Sequence, residues 1–223
     1  MSTPHPTADA VSAAAMLCLR WTTRIISEID DNGPIPHRAA QATFPDIPAD
    51  SLQHGLRTLR QRGLLQIREH RDDDSPVGLT QAGRDLGDVY EALSRWARRH
   101  HYPTSQTDFL TRVEATLVLL RDRHTVSLLE APSTMPYSYR ARRALHAGLL
   151  STGPDGRYEL TEVGKELRQA LAALTSWAAA HPQVVMAAAS RRPGRPTTEL
   201  HRLAGPALPP AHVGSSPALR FPR

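Results

Sequence analysis

Apolar residues recur at helical spacing along most of the first half of the chain, and polar clusters cut the pattern into elements. Met16, Leu17, Trp21, Ile25, Ile26 and Ile29 continue one period, so a single long first helix is expected from about Ala10. Asp30-Asp31-Asn32-Gly33-Pro34 ends it. In the next stretch Ala39, Ala40 and Phe44 are packing positions while His37, Arg38 and Gln41 face outward, which suits a short positioning helix. Pro45-Asp46-Ile47-Pro48 makes a turn, with Pro48 suited to open the following helix. There Leu52, Leu56 and Leu59 form an apolar stripe, Gly63 stops the helix and Leu64-Leu65 begins an extended run. A charged tip, Arg68 to Asp74, and a returning strand toward Thr80 complete a helix, strand, tip and strand. That order is the pattern of a winged helix-turn-helix reading head.

Placing residues 100° apart around this helix sets Asp50, His54, Arg57, Thr58 and Gln61 opposite the leucine stripe, with Gln53 at its margin. These groups can reach base edges or phosphates. His54, Arg57 and Gln61 are the candidates for base edges, Arg38 and Arg60 for phosphates, and Arg68 and Arg71 for a wing contact. The three aspartates after Arg71 would be repelled by a phosphate backbone, so the tip is expected to point away from it. The same residues also fit an ordinary solvated helix face.

The segments RWTTRIISEI, FPDIPADSLQHGLRTLRQRGLL and LTQAGRDL, in this order and spacing, resemble the HxlR-type winged-helix transcriptional regulators over about residues 11–101. The resemblance implies that the helix led by Pro48 enters the major groove of DNA, flanked by a wing, and that the protein works as a homodimer. The chain departs from the family pattern in its short wing, in lacking an aromatic residue before Leu79-Thr80, and in carrying His37 at a position usually aromatic.

A second copy of part of this plan follows. Residues 78–101 align without gaps on residues 159–182 at a constant offset of 81, matching Leu-Thr, Gly, Leu, Ala-Leu, Trp, Ala and His. Gly63-Leu64-Leu65 matches Gly148-Leu149-Leu150 at 85, and Arg20-Trp21-Thr22 can be laid on Arg123-His124-Thr125 at 103. The shrinking offset removes 18 residues from the second copy, so its positioning helix is expected to be missing. The expected fold is α+β, mainly helical, with tandem winged helix-turn-helix units and a disordered basic C-terminal tail. Residues 1–8 are a disordered N-terminus, 9–102 the DNA-binding domain, 107–182 a reduced unit for assembly and 183–223 the tail. Arg191-Arg192-Pro193-Gly194-Arg195-Pro196 in that tail is a permuted version of an AT-hook core.

Charge adds little to the case for the folded part. The net +5 resides in the tail, because residues 1–101 carry 12 arginines against 13 acidic residues, and residues 102–182 carry 9 basic against 8 acidic ones. No apolar run approaches a membrane span of ~20 residues, the N-terminus lacks a secretory signal, and Cys18 is a lone cysteine, so a cytoplasmic protein is expected. Cys18, beside apolar neighbours, reads as a structural thiol. Eleven histidines form no recognised metal or catalytic set, and there is no glycine-rich phosphate loop, so neither an enzyme nor a cofactor is expected. The expectation is a sequence-specific double-stranded DNA-binding regulator acting as a homodimer. Its rival is a winged-helix adaptor that binds protein through the same surfaces.

Overall fold

The helix expected from Ala10 to Ile29 is two helices. In the computed structural model, which describes residues 6–67, 75–102, 106–132 and 142–189, α1 spans Pro6–Leu17 and α2 spans Thr22–Asn32. Trp21 between them takes a left-handed backbone with φ 70°. The sequence holds two apolar stripes with different destinations. Ala10, Ala13, Ala14 and Leu17, at i, i+3, i+4 and i+7, are buried against helices from late in the chain, whereas Ile25, Ile26 and Ile29 are buried among the elements that follow directly. One straight helix could not serve both. Helix α1 also takes in Pro6 to Ala8, within the stretch expected to be disordered.

The helices and strands expected after Pro34 follow in outline. After the two-residue strand β1 (Ile35–Pro36) come a 3-10 turn (His37–Ala39), α3 (Ala40–Thr43), α4 (Ala49–Gln61), β2 (Leu65–Ile67) and β3 (Pro76–Leu79). The sheet is antiparallel in the order β1-β3-β2, with Leu65 opposite Leu79 and both Ile67 and Ile35 opposite Val77. The charged tip lies outside the described residues. Two helices complete this half, α5 (Gln81–Arg84) and α6 (Leu86–His100).

Thr80 locks the strand to the helices. Its hydroxyl donates to the Gly63 carbonyl at 2.6 Å and accepts the Gly83 N–H at 3.2 Å as an N-cap, while its own N–H reaches the Leu64 carbonyl at 3.0 Å.

The remaining chain forms α7 (Phe109–Leu120), α8 (Arg123–Glu130), α9 (Arg142–His146), the hairpin β4 (Leu150–Thr152) with β5 (Tyr158–Leu160), α10 (Glu162–Ala180) and α11 (Pro182–Ala189). Thr161 repeats the Thr80 lock, donating to the Gly148 carbonyl at 2.6 Å and capping Gly164 N–H at 3.1 Å. Helix α11 carries regular structure beyond the boundary expected at 182, because Val184 and Val185 are buried against α1. The rest of the expected tail lies outside the described residues.

The described residues make one compact unit. Helix α6 packs on α7 and α10, and α1 packs on α10, α7 and α11. Two tryptophans stitch these layers: Trp96 Nε1 donates to the Val163 carbonyl at 3.0 Å, and Trp177 Nε1 donates to the Ala82 carbonyl at 2.9 Å. Both indoles are core residues with their polar edge satisfied. His100 Nε2 lies 3.0 Å from Glu166, and His181 Nε2 lies 2.9 Å from Asp85.

Candidate nucleic-acid interface

Helix α4 is amphipathic in the sense the sequence requires. Leu52, Leu56 and Leu59 are buried, and Asp50, Gln53, His54, Arg57, Arg60 and Gln61 are exposed. Thr58 is half-buried, with its hydroxyl 3.5 Å from His54 Nε2. Asp50 stands in the first turn, where a carboxylate suits the helix dipole.

Three contacts fix the orientation of this helix. A β-carbon at Gly55 would lie 3.0 Å from Ile25 Cδ1, so the glycine allows α4 to cross close over α2. Gln41 Nε2 donates to the carbonyls of Ile47 at 3.0 Å and Phe44 at 3.4 Å, bracing the turn from α3 into α4. Arg24 lies over the Phe44 ring, 5.3 Å from its centroid, and 3.7 Å from the Asp46 carboxylate. At the far end Gly63, φ 75°, lets the chain reverse, and Leu64 N–H returns to the Leu59 carbonyl at 3.0 Å.

The exposed residues divide into two rows. Gln53, Arg57 and Arg60, joined by His37 from the 3-10 turn, rim a groove of about 120 Å³ whose floor is Leu56, Ile67 and Val77. The groove runs where helix meets wing. His54, Thr58 and Gln61 lie along the other flank of the helix. Arg38 is exposed in the same turn as His37. Arg68 and Arg71, expected on the wing, lie outside the described residues. His37 joins the set although it was not among the candidates; its outward polar position was the available signal.

Residues 16–105 match the HxlR-like helix-turn-helix family. DNA binding in transcription regulation is the function that accompanies this HxlR-like domain. No curated protein and no solved structure matches the chain. Within the HxlR-like segment every element from α2 to α6 is accounted for, whereas all of α1 except its last two residues lies outside it.

Other candidate chemistry is subdued. Burial pushes the half-buried Cys18 thiol up to about 11, against the opposing pull of Arg121, so its reactive thiolate is suppressed. Among the described residues no group of three or more His, Cys, Asp or Glu is placed to hold a metal, and no helix is long and apolar enough to cross a membrane.

Proposed function

We propose that the chain is a sequence-specific double-stranded DNA-binding regulator of transcription, built from two tandem winged-helix halves, the first of which reads bases through α4. The observation that carries this reading is the braced helix itself. Its buried stripe and its tethered entry turn hold an outward polar face in a fixed direction, and base recognition needs such fixed orientation. On this reading His54, Arg57 and Gln61, with Gln53 at the margin, face base edges in the major groove, and Arg57 is suited to bidentate contact with guanine. Arg60 and His37 rim the groove beside the wing, and with the exposed Arg38 they are the proposed phosphate contacts.

The test starts by selecting duplexes from a random pool with purified protein, which should yield one motif. Arg57→Ala should then weaken the selected site by about 1–3 kcal/mol while weakening random DNA far less. Equal losses on both would assign Arg57 to the backbone. A pool without enrichment would favour the adaptor reading, which the near-neutral charge of residues 1–101 supports.

A further inference from the structure

We infer that one chain does what two chains do in a symmetric regulator: it engages duplex DNA as a monomer, with α4 reading bases in one half of the site and α9 touching phosphate in the other. This rests on the DNA-binding function proposed above. A symmetric dimer interface is recognised because residue i of one copy meets j of the other while j meets i. The tryptophan and histidine bonds obey that rule inside one chain. Moving both residues of Trp96–Val163 by 81 positions, one forward and one back, gives Trp177–Ala82, and the same move turns His100–Glu166 into His181–Asp85.

The packing of the helices is exchanged in the same sense. At an offset of 103, α1 coincides with α7 over its whole length, and buried Ala10, Ala13, Ala14 and Leu17 fall on buried Val113, Thr116, Leu117 and Leu120. Helix α1 of the first half covers α10 of the second, and α7 of the second covers α6 of the first. The faces of α6 and α10 that a second copy would need are therefore already buried, with Leu93, Trp96, Leu174 and Trp177 at or below 4% exposure. This replaces the homodimer expected from the family resemblance.

The halves are alike in frame and unlike in reading surface. The offset of 85 that aligns Gly63 with Gly148 also aligns Arg57 with the exposed Arg142 of α9. Yet only 17 residues separate α8 from Gly148, against 30 between α2 and Gly63, too few for a positioning helix, turn and full reading helix. An arginine presented without that brace suits a phosphate, which asks for charge, and not a base edge, which asks for fixed geometry.

Light scattering of the full chain, alone and on the selected duplex, tests the inference. The expected results are 24.5 kDa alone and one chain per duplex, with sequence preference confined to one half of the footprint. Arg142→Ala should weaken selected and random DNA equally, lower the slope of log affinity against log salt by about one, and leave the preferred motif unchanged. A species of about 49 kDa, twice 24.5 kDa, or two chains per duplex, would overturn the inference and leave the DNA-binding function standing. A monomer that binds no duplex would overturn both the function and the role of α9. Unchanged affinity and salt slope in Arg142→Ala would remove α9 from the interface.

Discussion

A β-carbon at Gly83 would stand 2.4 Å from the Leu64 carbonyl oxygen, and one at Gly164 would stand 2.1 Å from that of Leu149. Neither oxygen can retreat, because each accepts the N–H of the threonine that caps the next helix. Gly83→Ala should therefore cost about 3 kcal/mol, read as a lower urea midpoint. Gly87→Ala is the control, since its new methyl meets only the end of the Asp30 side chain, and it should change stability far less. Asp108 offers a pH test. It caps α7 by accepting the Thr111 N–H at 2.8 Å, and that bond holds its carboxyl below the usual carboxylate range. A carboxylate with a lowered folded-state pKa stabilises the fold above its unfolded pKa and ceases to do so as pH falls through the folded value. Asp108→Ala should thus lose about 1 kcal/mol at neutral pH, and thermal melts should show the difference shrinking as acid protonates the wild-type group.

Among the elements, α4 was legible because a single apolar stripe faces one neighbourhood, so the period alone assigns its inner and outer sides. The break between α1 and α2 was not, because both stripes are apolar and their phases nearly join across Cys18 to Trp21, while the partners of α1 lie about 100 or more residues away. Strand β1 escaped for a different reason: two residues, one of them proline, carry no period. Gln41 read as an outward polar residue, and its bonds to two turn carbonyls depend on a chain reversal that composition does not encode. Those bonds give a prediction at this scale. Gln41→Ala takes the side-chain donor from the Ile47 carbonyl and leaves the Phe44 carbonyl with the Ile47 N–H alone, so stability should fall by about 1 kcal/mol. Binding titrations should show a greater loss on the selected DNA site than on random DNA, because the helix is less firmly aimed.

At the scale of the whole molecule, the offset of 81 was visible in the sequence, but the direction of packing was not: a repeat says that two halves are alike, never which helix covers which. Because α1 and α7 cross between the halves, the core is continuous, and scanning calorimetry should give a single transition whose van't Hoff and calorimetric enthalpies agree. Two separated transitions would show independently folding halves. The crossing of α1 also sets a clock during synthesis. Its alanine face emerges first, yet α10, which covers it, begins at Glu162. At a ribosomal rate of roughly 5–20 residues per second, α1 meets α7 first and waits about 7–30 s for α10. A nascent chain that stalls before Glu162 already carries α7 and α8 but lacks α10 and α11, so one side of α1 and one side of α6 stay uncovered until the last described helices have been made.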